Sequence, residues 1–331
     1  MMKEHELRIL PPIAGVSLEG SEISLREGEA IINILVVFDP VSVRSILTLK
    51  LLGKIAKRYS STPVKLLYIM EPRLSCFYNL ETAKKFTNRF GISSMTIYDV
   101  NSYVSLQLRL SSLPAVFIAD SNLIIHSYQE GEISTEDIER FIQFRLSLSG
   151  FRDELPEMAG IIDESVDHSL MISRPIVRQM GYASNDYLFN YVATPEALHE
   201  FPPPGFCASE MLYPSGKWFV GRDFIQGISG SVIYVNCSRD ESLWIFAGSD
   251  DGCRLTIQTT VGLQTSLQFG KDVVVHQDSV EMIVSDCQQY EILTFSGQDE
   301  VLLSLNVVSG TIRIYSVEFL LLSHFPVSEK N

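Results

Sequence analysis

The sequence predicts two domains, an α/β domain built on a mixed sheet followed by an all-β sandwich. Three observations predict this. Apolar strand-like runs alternate with helical periodicity as far as residue 148. From Glu210 onward the helical periodicity disappears and short alternating runs recur between turn signals. Charge divides along the same line: 16 basic and 16 acidic residues through Gly150, then 10 basic and 24 acidic from Phe151. A length of 331 residues suits two such units, and 46% hydrophobic with 20% charged residues is ordinary for globular chains.

The central strand is Ile31–Phe38 (IINILVVF), apolar without alternation, as in a strand buried on both faces. Upstream, Ile13–Val16 and Ile23–Leu25 flank the turn signal Glu19-Gly20-Ser21, a candidate hairpin on the sheet. After Asp39-Pro40-Val41 a helix is expected over 42–59, with Leu52, Ile55, Ala56 and Tyr59 on one face and Lys57 and Arg58 near its end, where cations suit the dipole. Thr62-Pro63 stops it, and Val64–Met70 reads as the next strand. A helix over 81–90 carries Ala83, Phe86 and Phe90 and closes on Gly91. Met95–Tyr98 is a short strand and 102–110 a short helix. Ala115–Ala119 and Leu123–Tyr128 pair around Asp120-Ser121-Asn122. Ser134 to Asp137 reads as a capping box that starts a last helix with Ile138, Phe141, Ile142 and Arg145 inward.

This order, β-α-β-α-β-α-β-β-α, resembles that of extended thioredoxin-like domains of the TlpA-like redoxin type. Ser112-Leu113-Pro114 before an apolar strand looks like that family's cis-proline loop, and Gln129–Glu132 resembles its turn before the final helix. The resemblance implies a thioredoxin fold over residues 1–148. It also implies a Cys-x-x-Cys dithiol at the first helix N-terminus, where the helix dipole lowers a thiol pKa. The chain instead reads Ser42-Val43-Arg44-Ser45. A serine hydroxyl cannot exchange with a disulfide, so the expected domain is redox-silent, and Ser42 reads as an N-cap. Pro114 then reads as an element of shape.

The five cysteines, Cys76, Cys207, Cys237, Cys253 and Cys287, have neither metal-finger nor redox spacing. Cys76, in the loop after the Val64–Met70 strand and near Arg73, is the one candidate nucleophilic or peroxide-sensing thiol of the first domain. The six histidines are scattered, so neither a metal nor a cofactor is expected. Phosphate-binding glycine loops and hydrolase or zinc-protease motifs do not occur.

Residues 149–209 read as a connector, punctuated by Pro156, Pro175, Pro195 and Pro202-Pro203-Pro204-Gly205. Within it, Ser173–Tyr182 is apolar enough to be expected to dock on a domain. From 210 to 325 the strands expected are Val232–Cys237, Leu243–Ala247, Cys253–Thr259, Asp272–His276, Val280–Val284, Tyr290–Phe295, Val301–Val307 and Ile312–Phe319. Such spacing points to a jelly-roll sandwich. Gly216 to Gly221, Phe269 to Val273, Tyr290 to Leu293 and Gly181-Tyr182 look like the C-terminal part of DipZ-type thioredoxin-like proteins. There the redoxin domain is followed by a sandwich similar to carbohydrate-binding modules.

That resemblance makes Trp218 and Trp244 candidate sugar-stacking rings, with Asp250, Asp251 and Asp272 as polar partners. Trp244, inside LWIFA, reads as core, and adjacent aspartates in a turn read as solvated more readily than as a calcium site. Cys237, Cys253 and Cys287 read as filling. Net charge of −14 argues against nucleic acid, and no apolar run is long enough for a membrane span. The absence of an export signal points to a cytoplasmic setting. The function expected is a non-catalytic scaffold whose acidic sandwich recognises a protein partner or glycan. The alternative is a thiol-disulfide oxidoreductase or peroxidase-like enzyme that relies on Cys76 or on cysteines replaced at 42 and 45.

Overall fold

The computed structural model describes residues 9–131, 133–151, 155, 156, 158, 175–184, 194–238, 241–260, 266–296 and 300–321. The chain divides into two units, Met1–Met171 and Ile172–Asn331. Glu132 and Ser173, named above, and three of the six histidines, His5, His168 and His324, lie outside the described residues.

The first unit is built on β3 (Ile32–Phe38), every residue of which is buried. It is followed by α1 (Val43–Arg58), β4 (Val64–Met70), α2 (Leu80–Phe90), β5 (Thr96–Tyr98) and α3 (Tyr103–Gln107). Then come β6 (Ala115–Asp120), β7 (Ile125–Glu130) and α4 (Thr135–Leu148). The sheet order is β5-β4-β3-β6-β7. β3 and β4 are parallel, as are β4 and β5; β6 runs antiparallel to both β3 and β7. This element and strand order is thioredoxin-like.

Alternation along β3 splits its side chains between two cores. Leu35 and Val37 join Leu67, Ile69 and Phe117 under α3 and under the hairpin of β1 (Ile13–Val16) and β2 (Glu22–Leu25). Phe38 faces the other way and stacks on Phe86 of α2, with centroids 6.3 Å apart. The hairpin therefore covers a sheet face and reaches the β5 edge through Ser17 and Ile97. Gly91 closes α2 at φ 67°, as its sequence position predicts. The Ser134 hydroxyl accepts the Asp137 N–H at 3.3 Å and caps α4.

The second unit is all β. Its strands are β8 (Ile176–Gln179), β9 (Ala197–Phe201), β10 (Met211–Val220), β11 (Ile225–Ile228), β12 (Val232–Cys237), β13 (Glu241–Gly248) and β14 (Cys253–Thr260). They continue with β15 (Ser266–Phe269), β16 (Val273–Val275), β17 (Val280–Val284), β18 (Gln288–Ser296), β19 (Val301–Ser309) and β20 (Thr311–Leu321). All pairings are antiparallel, in the order β15-β18-β13-β20-β11-β10-β12-β19-β14-β17-β16, with β8 on β20 and β9 on β10. β10 links two arms: Met211–Ser215 pairs with β12, and Trp218–Val220 pairs with β11. Between those stretches Gly216 takes φ +80°, which lets the strand turn from one arm into the other. Inward residues of both arms, among them Leu212, Val235, Ile245, Leu305 and Phe319, fill one core.

Part of the stretch read as connector is strand. Ile176–Gln179 pairs with β20 and Ala197–Phe201 with β10. Beyond β8, the Tyr182 N–H donates to Gly221 O at 3.0 Å. Gly181 has φ +86°, and a Cβ there would lie 2.4 Å from Arg222 O. Gly181→Ala is therefore expected to lower the unfolding midpoint, by more than about 1 kcal/mol of stability. Thermal unfolding followed by circular dichroism checks this, and an unchanged midpoint refutes it.

Candidate functional site

The parallel strands β3, β4 and β5 send their C-terminal ends to one edge of the sheet, the edge at which open α/β sheets gather functional groups. α1 starts there. Its entry is held by Asp39: Oδ1 accepts the Val41 N–H at 2.9 Å, and the main-chain carbonyl accepts the Ser42 N–H at 3.3 Å. The Asp39 N–H donates to Ser45 Oγ at 3.3 Å, and Ser45 is fully buried. Ser42 occupies the N-cap position with extended backbone, yet its side chain makes no capping bond. The expected hydroxyl cap is therefore absent, and the Asp39 carboxylate instead braces the turn that leads into α1.

The Leu113–Pro114 peptide is cis, and its loop lies at the same edge because β6 runs antiparallel to β3. The Glu130 carboxylate anchors that loop. It accepts the Ser112 N–H at 2.6 Å and bonds the Ser111 N–H and hydroxyl, while Pro114 O accepts the Gly131 N–H at 2.7 Å. Burial raises the Glu130 pKa, but the hydrogen bonds from Tyr128, Ser112 and Ser111 outweigh it and hold the carboxyl below its ordinary value. A Cβ on Gly131 would lie 3.2 Å from Ser112 Oγ and 3.6 Å from Arg44 Nη1. The Arg44 side chain of α1 and Ser112 of the proline loop therefore both come up against Gly131.

A network missed by sequence reading crosses this edge. Arg73 Nε lies 3.1 Å from Glu71 Oε1 and 4.0 Å from Asp39 Oδ2, and the Ser105 hydroxyl of α3 bonds Glu71 Oε2. Burial pushes the Asp39 carboxyl up to about 6, against the pull of the Val41 N–H and Arg73. Two carboxylates on consecutive strand ends, Asp39 and Glu71, with Arg73 beside them, were the available signal.

Cys76 lies in a 3₁₀ turn, Ser75–Tyr78, and is half-buried. The Tyr98 hydroxyl donates to Phe77 O, so this turn is tied to β5 at the outer edge of the sheet. Burial raises the Tyr98 pKa, and Tyr78 and Cys76 add to it. Arg73, expected beside this thiol, is engaged by Glu71 and Asp39.

No family model matches the chain, and no curated protein matches it. Solved structures do. A protein from Neisseria meningitidis described as a thioredoxin is 15% identical, with a TM-score of 0.38 over 43% of this chain and 93% of its own. StoA from Bacillus subtilis is 14% identical, with a TM-score of 0.35 over 41% and 99%. A protein from Chlorobium tepidum described as the thiol:disulfide interchange protein DsbE is 14% identical, with a TM-score of 0.37 over 42% and 95%. The strand order alone makes the first unit thioredoxin-like; these likenesses say nothing about its chemistry.

In the second unit neither candidate ring of the expected sugar site is presented at the surface. Trp218, a candidate stacking ring, is a core residue at 1% exposure: its Nε1 donates to Ser215 O at 2.9 Å, and its ring lies against Gly227. The period-2 pattern Lys217-Trp218-Phe219-Val220 signals this, since Trp218 shares a face with Val220. Trp244, read as core, is 4% exposed, with its Nε1 donating to Ser242 Oγ at 2.8 Å. The aspartates have intramolecular partners. Asp250 pairs with both Arg313 terminal nitrogens at 3.3 and 2.7 Å. Asp251 Oδ1 accepts the Thr311 hydroxyl at 3.0 Å and the Ser249 hydroxyl at 3.1 Å, and Asp272 Oδ2 accepts the Glu291 N–H at 2.8 Å.

Cys237 and Cys253 fill the core, and burial first, then nearby carboxylates, pushes both thiols up, Cys253 to about 11. Cys287 is half-buried against Gly248. Among the described residues no cluster of His, Cys, Asp or Glu is arranged to hold a metal ion, and no helix is long and apolar enough to cross a membrane.

Proposed function

We propose that the chain is a redox-silent recognition protein. Its thioredoxin-like unit serves as a scaffold, and its β unit, a jelly roll of the carbohydrate-binding-module type, recognises a partner. One observation carries the reading: oxygen stands where sulfur would act at both 42 and 45, and the second oxygen is buried in a bond to the Asp39 N–H. A buried alcohol in a fixed hydrogen bond supplies neither the attacking nor the resolving thiolate of disulfide exchange. Burial of both tryptophans favours a protein over a glycan as the partner, because sugar platforms need exposed rings.

Insulin reduction and peroxide consumption test the proposal. The chain as it stands is expected to turn over neither substrate, and a Ser42→Cys/Ser45→Cys protein to gain insulin reduction. Turnover by the unmodified chain that vanishes in Cys76→Ala would establish a thiol enzyme instead.

A further inference from the structure

One arm of the β unit ends at β16, which pairs only with β17 among the described residues. The His276 N–H donates to Ser279 O at 2.8 Å, which fixes the alternation of the ladder. Val274, opposite Glu281, is then the residue that exchanges both hydrogen bonds with β17. Val273 and Val275 turn their N–H and C=O groups away from it. The Val273 N–H is taken by Gly270 O at 3.1 Å. What faces outward is the N–H and C=O of Val275 and the C=O of Val273.

Natural edges are commonly guarded by lysine, proline or a bulge, whereas this one reads Val-Val-Val. Val274 and Val275 are 54% and 59% exposed. Ile283 of β17, diagonal to Val274 on the same face, is 66% exposed. The surroundings are acidic: residues 271–286 hold one lysine against four carboxylates, and Lys271 lies over the Trp244 ring at 5.9 Å. Open main-chain groups call for an extended backbone, the valine–isoleucine strip for apolar side chains, and the carboxylates for flanking cations.

We propose that β16 is a strand-addition site, which takes an extended segment of a partner polypeptide, β-branched at alternate positions and flanked by lysine or arginine. The inference deepens the recognition role proposed above and rests on it. Three residues offer few main-chain bonds, so the apolar strip and the charge rim supply the remaining selectivity.

The test uses the full chain and a fluorescein-labelled Lys-Val-Thr-Val-Thr-Val-Lys peptide, followed by anisotropy. Val275→Pro removes the outward N–H and leaves the Val274 ladder bonds in place, and an extended Val274 suits a following proline. This variant is expected to keep the unfolding midpoint and lose tenfold or more in affinity. Val274→Lys, and a peptide with aspartate at both ends, are expected to weaken binding similarly. Equal affinity for wild type and Val275→Pro overturns the proposal, as does absence of binding by the wild type. Should Val275→Pro fail to fold, a peptide N-methylated at its central residues asks the same question, and undiminished binding of that peptide overturns it. A dimer seen by sedimentation and abolished by Val275→Pro, with no peptide bound, overturns it in favour of self-pairing. Insulin reduction by the wild type would sink the redox-silent reading and leave the peptide result standing. Absent peptide binding with absent insulin reduction would sink only the strand-addition site.

Discussion

Trp218→Ala is expected to destabilise the β unit by about 3–5 kcal/mol, the range for truncating a large core aromatic. The ring is almost wholly enclosed, and it lies so close to Gly227 on the neighbouring strand that a Cβ there would sit 2.7 Å from it. Alanine would leave a void flanked by that glycine, which has no side chain to move in. The lost Nε1 bond to Ser215 O leaves a carbonyl in a dry place and adds to the loss. Denaturant unfolding of the full chain checks this through the transition of the β unit. A variant with unchanged stability and impaired glycan binding would show instead that Trp218 is a surface ring.

Asp39→Asn is expected to stabilise the first unit at neutral pH. The folded-state pKa, about 6, stands above the ordinary 3.8 because burial disfavours the anion. The native state therefore holds its proton more tightly than the unfolded chain does. The associated stability is fully present below pH 3.8 and is lost as pH rises through about 6. At pH 7.5 the loss is up to about 3 kcal/mol. Asparagine removes the charge and keeps an oxygen to accept the Val41 N–H. The variant should therefore melt above wild type at pH 7.5, and the gap should close towards pH 4. Glu241, which burial raises to about 7, titrates in a neighbouring window but is present in both proteins, so it cancels in the difference. A gap that is constant with pH, or of opposite sign at pH 7.5, would show that Asp39 contributes through its hydrogen bonds alone.

The first unit was legible because its signals are local. A fully apolar run gives β3, Thr62-Pro63 and Gly91 stop helices, and Ser134 starts one. The later strands of the second unit were legible for the same reason, since β14 and β19 alternate along most of their length. β10 was missed because Pro214 and Gly216 interrupt it, and both residues weaken a strand reading. In the fold they sit where the strand changes partners, so the interruption is the feature itself. β8 and β9 were hidden by the prolines around them, and their pairing with β20 and β10 is set by tertiary contacts that no local pattern carries. At the site, the serine pair could be located from the order of elements alone. The bond from Asp39 to Ser45 could not, because it depends on how tightly the Asp39-Pro40-Val41 turn closes.

β10 has one further implication. Because one strand, bent at Gly216, serves as seam for both arms, neither arm possesses a complete set of neighbours without it. Disorder that begins in one arm strips partners from the other. The β unit is thereby constrained to melt as one cooperative block.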